Sequence, residues 1–220
     1  DITCGKHIIW YVKEQGLFCF DDRKQEFVSL KNDLPDDIRN FVIDSKDRIF
    51  LLTGHGQLLH YQLTVRNSCP ELSFKEEIRH CAPVSNIYLS QDCLIINDDR
   101  TLTVSQDNRI LDSINIPENK TVSQAICHGE YLLISFIEGG CIRYNLENGT
   151  STELLQLPEK ASIFTIYIGS QNILWVGTDG QGILEVYEHS SPFHTVKTNY
   201  PVRCFCEEDN GNILVGTKGE

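Results

Sequence analysis

Seven histidines and nine cysteines are scattered along these 220 residues, and their spacing bears on nucleophilic, acid–base and metal chemistry. His55 and His60 flank a predicted turn and could act as general bases. Neither has a recognisable nucleophile or orienting carboxylate in the pattern, so polar surface is the simpler reading. No Gly-x-Ser-x-Gly elbow, His-Glu-x-x-His pair or Gly-x-x-x-x-Gly-Lys-Ser/Thr loop occurs, which removes the common hydrolase and phosphate-cradling signatures. Cys204 and Cys206 point to one face of a strand, but zinc needs a second pair, and Cys69 with Cys81 lacks ligand spacing.

The odd cysteine count in a chain of this length does not read as a secreted disulfide framework. Cys19, Cys127, Cys141, Cys204 and Cys206 lie inside strand patterns and are expected to be buried thiols, acting as small hydrophobes. Carboxylates cluster in turns (Asp21 and Asp22, Asp36 and Asp37, Asp98 and Asp99, Glu207 to Asp209) without calcium-loop spacing. Solvated loops are expected there, with no metal and no other cofactor. A formal net charge of -12 argues against nucleic acid, whose phosphates demand a concentrated basic surface. Asn119-Lys120-Thr121 and Asn148-Gly149-Thr150 fit the glycosylation acceptor pattern, which matters only in a eukaryotic secretory chain.

The elements that must position these groups repeat. Asn172-Ile173-Leu174-Trp175-Val176-Gly177-Thr178 returns as Asn212-Ile213-Leu214-Val215-Gly216-Thr217, and the same strand can be placed on Trp10, Phe50, Ile95 and Leu133. Positions 10, 50, 95, 133, 175 and 214 step by 40, 45, 38, 42 and 39 residues. That step falls at the roughly 40–50 residues of a β-propeller blade.

A glycine-bearing turn and a second strand ending in an aromatic follow at Gly16, Gly56, Gly140 and Gly182; in the third copy Asp98-Asp99-Arg100 replaces the glycine. Entering strands are expected over Ile38 to Ile43, Val84 to Leu89, Val122 to Cys127, Ile163 to Ile168 and Val202 to Cys206. Leaving strands are expected over Glu26 to Leu30, Ile110 to Ile116 and Thr150 to Leu155. The chain is therefore expected to be all-β, a β-propeller of four-stranded antiparallel blades, about five whole and part of a sixth. The blades are placed at 1–32, 38–78, 84–117, 121–157, 162–198 and 202–220. Trp10 and Trp175 could line a sugar site, but their place in the repeat strand predicts packing between blades. Without methionine, and stopping where another glycine turn is due, the chain is expected to be a fragment of a larger propeller.

Trp175-Val176-Gly177-Thr178-Asp179-Gly180-Gln181-Gly182-Ile183-Leu184, Glu208-Asp209-Asn210-Gly211-Asn212-Ile213-Leu214-Val215-Gly216-Thr217 and Asp44-Ser45-Lys46-Asp47-Arg48-Ile49-Phe50 resemble the regulator-propeller repeat. That repeat occurs in periplasmic sensor regions of hybrid two-component systems of gut Bacteroidetes. The resemblance covers most of the chain, strongly in the first, second, fifth and sixth copies, while the third and fourth depart from it.

It implies an extracytoplasmic, non-catalytic, ligand-binding propeller, part of an inner-membrane histidine kinase and response regulator whose phosphorelay chemistry lies elsewhere. It also implies a glycan-derived signal such as an oligosaccharide, other propeller blades and domains of the parent chain as partners, a possible homodimer, and membrane contact only through that parent. The turns between second and third strands then supply the expected ligand groups: Lys13, Gln15, His55, Asp99, Arg100, Glu138, Asp179 and Gln181. Their amides, carboxylates and imidazole suit a polyhydroxylated ligand and suit water equally. The alternatives are a metal-dependent lyase resembling the streptogramin lyases and a WD- or kelch-like scaffold. Neither a Trp-Asp dipeptide nor a double glycine recurs with the blades, which weakens the scaffold families.

Overall fold

A computed structural model of the chain describes residues 2–4, 7–30, 34–66, 69–155, 157, 161–169, 171–187 and 194–218. Among these the chain forms antiparallel sheets and no helix, in two compact units, residues 1–113 and 114–220. The blade ends expected at 32 and 220 lie outside the described residues.

Unit 1 holds three four-stranded sheets, each meandering in chain order. The first is β1 (Ile2–Cys4), β2 (Ile8–Val12), β3 (Gly16–Asp21) and β4 (Glu26–Ser29). The second is β5 (Ile38–Ile43), β6 (Arg48–Thr53), β7 (Leu58–Arg66) and β8 (Cys69–Ile78). The third is β9 (Asn86–Ser90), β10 (Cys93–Asn97), β11 (Thr101–Gln106) and β12 (Arg109–Asn115). Unit 2 holds β13 (Val122–His128), β14 (Tyr131–Phe136), β15 (Cys141–Asn145) and β16 (Ser151–Leu155) as one sheet. Its next sheet is β17 (Ile163–Ile168), β18 (Leu174–Thr178), β19 (Ile183–Val186) and β20 (His194–Val196), and β21 (Val202–Glu207) pairs with β22 (Ile213–Thr217). The entering strand of the third sheet starts at Asn86 rather than Val84, because Val84 donates its N–H at 3.0 Å to Gly56 O of the preceding sheet's turn.

The repeat strand is the second of each sheet. β10 is buried at every position and β6 and β14 at all but the first, so these strands are apolar on both faces and show no period-2 alternation. In unit 1, Ile9, Leu17, Phe41, Ile49, Leu51 and Tyr61 form the core between the first two sheets. Phe50, Leu52, Ile87, Leu94 and Ile96 form the core between the second and third. In unit 2, Leu133, Ile163, Ile166, Leu174 and Val176 do the same for the two four-stranded sheets.

The first strand carries a bulge at a fixed place: Ile38/Asn40, Val122/Gln124, Ile163/Thr165 and Val202/Cys204. The residues opposite are Leu52, Ser135, Gly177 and Gly216, so the glycine of each Gly-Thr pair faces a bulge. A Cβ on Gly177 would come within 2.7 Å of Thr165 Cγ2 and 2.8 Å of Val202 Cγ1, which explains why only glycine fits. The following threonine closes the next turn: Thr178 Oγ1 donates to Gly182 O at 2.8 Å, and Gln57 N donates to Thr53 Oγ1 at 3.2 Å. Gly182 takes a φ of +78°, and Asp99, at 68°, fills the corresponding turn of the third sheet without glycine.

Amides at the bulge tie neighbouring sheets together. Asn40 Nδ2 donates to Asn86 Oδ1 at 2.7 Å and to Ile87 O at 3.1 Å. In unit 2, Gln124 Oε1 accepts from Thr165 Oγ1 at 2.9 Å and from Ile166 N at 2.7 Å. Each bond joins the first strands of adjacent sheets.

Three expectations need correction. His60 is not a turn residue; it is 8% exposed on β7 and stacks on Phe50 with ring centroids 5.2 Å apart. Trp10 packs within its own sheet, on Phe18 and Phe27 at 6.1 and 5.2 Å, and is 39% exposed. Trp175, by contrast, does face the next sheet across a small cleft shared with Ile213. Cys19 and Cys141 are buried thiols, whereas Cys204 and Cys206 are exposed, because β21 and β22 have no described sheet over that side.

Burial pushes the Cys141 thiol up to about 12, and burial followed by the carboxylates of Asp21, Asp47 and Asp22 pushes Cys19 up to about 11. Iodoacetamide labelling of the native chain, read by peptide mass, is therefore expected to modify Cys81, Cys204 and Cys206 and to spare Cys19 and Cys141 until denaturant is added. Gln124→Ala strands the Ile166 N–H and is expected to cost about 1–3 kcal/mol in urea unfolding. The exposed Gln171→Ala is expected to stay within about 0.5 kcal/mol of the native chain.

Candidate functional site

In both units the turns between second and third strands lie beside the connections that enter the next sheet. In unit 1 the first such turn exposes Lys13, Glu14 and Gln15, with Gln15 N donating to Val12 O at 3.0 Å. Burial, then the carboxylates of Asp37, Asp36 and Glu14, raises the Tyr11 hydroxyl above the ordinary tyrosine value. The second turn is held to the same connection: Gly54 N donates to Asp37 O at 2.7 Å, and His55 Nε2 stands 3.7 Å from Asp37 Oδ2. His55 is open to solvent, with 87% of its side chain exposed. The structure thus places His55 beside an acidic connection, while Lys13 and Gln15 are exposed on the first turn.

The third turn is built on Asp98. Its Oδ1 accepts from Arg100 N at 3.0 Å and Thr101 N at 2.6 Å, its Oδ2 accepts from Thr101 Oγ1 at 3.0 Å, and His80 Nδ1 lies 3.6 Å away. The other imidazole nitrogen of His80 is 3.4 Å from Thr103 Oγ1. Burial raises the Asp98 pKa, but the Thr101 and Arg100 amides, the Thr101 hydroxyl and His80 outweigh it and hold the carboxyl below its ordinary range. Asp99 and Arg100 are exposed at the tip, and Asp99 N donates to Asn97 Oδ1 at 2.9 Å. Tyr88 lies nearby: burial raises its hydroxyl, and Asn86 and Asn97 partly offset this.

In unit 2, Glu138 Oε2 accepts from Thr121 N at 2.8 Å, and Lys120 Nζ donates to Gly139 O at 3.2 Å. Burial raises the Glu138 pKa, while Thr121, its own backbone amide and the Lys120 charge lower it more, leaving it below the ordinary carboxylate value. A cleft of about 230 Å³ opens beside Lys120, Phe136 and Glu138. Asp179 N donates to Ser162 O at 2.9 Å, and a Cβ on Gly139 would lie 2.8 Å from Ala161 O, so one connection separates the two turns. Asp179 and Gln181 are exposed.

Each expected site residue therefore sits where the repeat put it, in a turn between second and third strands. Tyr11, Asp37, His80, Asp98 and Lys120 join them from strands and connections. Only the connection acids carried a sequence signal, as polar turns. Among the described residues no three His, Cys, Asp or Glu side chains are grouped to hold a metal ion, and no helix is long and apolar enough to cross a membrane.

Residues 156–180 match the family described as Two component regulator propeller. The chain carries a regulator-propeller repeat. That stretch takes in Trp175 to Gly180, the first part of one of the segments on which the sequence resemblance rests. No curated protein matches the chain in sequence.

Solved structures match its fold. The extracellular domain of BT4673 from B. thetaiotaomicron, described as a one component system, superposes with a TM-score of 0.71 at 17% identity, over 96% of this chain and 30% of that one. The extracellular domain of BT3049 from B. thetaiotaomicron, described as a hybrid two component system, superposes with a TM-score of 0.68 at 16% identity, over 97% of this chain and 31% of that one. A streptogramin B lyase gives a TM-score of 0.73 at 12% identity, over 98% of this chain and 75% of that one. At these identities the likeness is of fold: the chain is a β-propeller, and it spans under a third of the two B. thetaiotaomicron chains.

Because the Asp98 carboxyl is depressed in the folded chain, its stabilisation is complete above the unfolded value of about 3.9 and disappears as pH falls through the lower folded value. Asp98→Asn is expected to lower the urea midpoint at pH 7 and to flatten the loss of midpoint between about pH 5 and pH 2.

Proposed function

We propose that this chain is the ligand-binding part of an extracytoplasmic sensor propeller in a hybrid two-component signalling protein. The observation that carries the reading is the regulator-propeller repeat at residues 156–180, and the fold match to the extracellular domain of BT3049 supports it. The sheets are read as blades of one propeller, at 1–32, 38–78, 84–117, 121–157, 162–198 and 202–220. The remaining blades, the membrane anchor, the histidine kinase and the phosphorelay belong to the parent protein, which is placed in the inner membrane with this part in the periplasm. This part binds and does not catalyse.

The ligand is read as a polyhydroxylated, glycan-derived molecule. Lys13, Gln15, His55, Asp99 and Arg100 in unit 1, and Glu138, Asp179 and Gln181 in unit 2, present exposed donors and acceptors on turns. The backbone of those turns is fixed by bonds such as Gly54 to Asp37 and Asp179 to Ser162. Neutral hydroxyls pair well with such mixed groups, and a pre-formed backbone limits the ordering cost of binding. Binding would bias the packing between this chain and the rest of its parent, a rigid-body form of signal transfer.

Calorimetric titration of the chain with a panel of oligosaccharides tests the reading. A binding isotherm is expected for at least one sugar, weakened about tenfold by His55→Ala or Asp179→Ala through loss of one or two hydrogen bonds. Uniformly absent heat across the panel would overturn the sugar-sensing role.

A further inference from the structure

Each unit contains a cleft between neighbouring sheets at the same place in the repeat. In unit 1 it lies between the second and third sheets, with a volume of about 320 Å³, and in unit 2 between the two four-stranded sheets, with a volume of about 210 Å³. Register decides which side chains face the cleft of unit 1. Phe50 pairs with His60 and His60 with Glu76, while Leu52 pairs with Leu58 and Leu58 with Ile78, so both rows share the face that packs on the third sheet. Across the gap Leu94 pairs with Ser105 and Ile96 with Thr103. Glu77, opposite Leu59, belongs to the other face of the second sheet, and alternation puts Arg79 there too.

The floor is Phe50, Ile78, Leu94 and Ile96, apolar surface in a pocket at the small end of the roughly 300–1,000 Å³ of ligand sites. His80 closes one end, with Nε2 3.4 Å from Thr103 Oγ1 on the third sheet. Arg48, held by Asp44, Asp107 and Asn108, closes the other. The cleft of unit 2 differs at three matching places: Tyr131 stands where Arg48 stands, and the pair Arg143 and Thr152 stands where His60 and Glu76 stand. There the Tyr131 ring lies under the Arg143 guanidinium, 4.8 Å from it, and takes up part of the volume. The two clefts therefore differ in charge as well as in size.

Charge at the mouth of the unit 1 cleft selects among ligands. Both cations there are engaged, Arg48 by the buried Asp44 and by Asp107, and Lys46 by Asp107. Asp92 accepts from Ser45 N at 2.9 Å. Glu76 is half exposed and stands 3.4 Å from His60 Nδ1, where a neutral imidazole orients the carboxylate and leaves it its charge. A ligand carboxylate would meet Glu76, Asp92 and Asp107, and a sugar would leave the floor uncovered. A cation on an apolar body satisfies both floor and rim, and the partial exposure of Glu76 limits the desolvation cost of the pair.

We propose that this cleft binds a small apolar amine, an alkyl- or arylalkylammonium cation. Its body rests on Phe50, Ile78, Leu94 and Ile96, and its ammonium donates to the Glu76 carboxylate. The site uses none of the turn residues assigned to a sugar, so it stands or falls separately from the sensor reading.

Calorimetry at neutral pH on the 220-residue chain with phenethylamine, phenethyl alcohol and hydrocinnamate, three ligands of similar body and different charge, tests the proposal. The amine is expected to bind about tenfold or more tightly than the alcohol, and the carboxylate not at all. Glu76→Gln is expected to weaken the amine about tenfold and to leave the alcohol unchanged. Ser105→Phe is expected to abolish binding of both by filling the cleft. Glu76 is half exposed, so its variant keeps the test meaningful if Ser105→Phe disturbs folding. No heat from the amine at millimolar concentration, or equal affinity for the amine in the native chain and in Glu76→Gln, would overturn the proposal. So would hydrocinnamate binding as tightly as the amine.

Discussion

The second strands β6, β10 and β14 are buried on both faces, and the rest of the structure follows from that constraint. A strand covered on both sides cannot alternate apolar and polar residues; it must be apolar throughout and must let its neighbours approach closely. β10 and β14 meet the first demand, and Gly177, squeezed between Thr165 and Val202, meets the second. Where described sheets cover only one side the burial breaks down, as on β2 and β22, whose residues alternate or lie open. Trp10 on β2 is exposed at the repeat position where Phe50 and Ile95 are buried.

Packing sheets face to face leaves their polar backbone to be satisfied at the edges. The bulge in β5 and in β13 opens a place for a side-chain amide, and Asn40 and Gln124 use it to reach the next sheet's first strand. The second ends are tied differently, by the Asp44–Arg48 pair, with Asp44 wholly buried, and its extension to Asp107 and Asn108. An ion pair of this kind adds little to stability over an apolar substitute, but removing one partner leaves a charge without compensation. Its role is to fix how the second and third sheets meet, and it thereby holds the rim of the larger cleft.

The function proposed for the chain depends on what such a scaffold leaves free. Apolar pressure consumes the strands, so variation is confined to turns and connections, where exposed groups stand on backbone already fixed by hydrogen bonds. His55 illustrates the arrangement: its imidazole is solvated while Gly54 beside it is bonded to the Asp37 carbonyl. Clefts between sheets are the second free space, and there a single exchange such as tyrosine to arginine decides whether the volume is filled.

The sequence by itself determined the all-β class, the spacing of the repeat, and the position of the turns, including the positive-φ residue before each third strand. These are local: a double-faced strand, a Gly-Thr corner and a turn glycine each leave a pattern within a few residues. The burial of His60, the exposure of Cys204 and Cys206, the packing of Trp10 on its own sheet and the bridging by Gln124 were decided only in three dimensions. Each depends on which neighbouring sheet covers a given face, and residues about forty positions apart supply that neighbour. A strand pattern shows that a side chain has a face, but only the adjoining sheet determines whether that face meets protein or water.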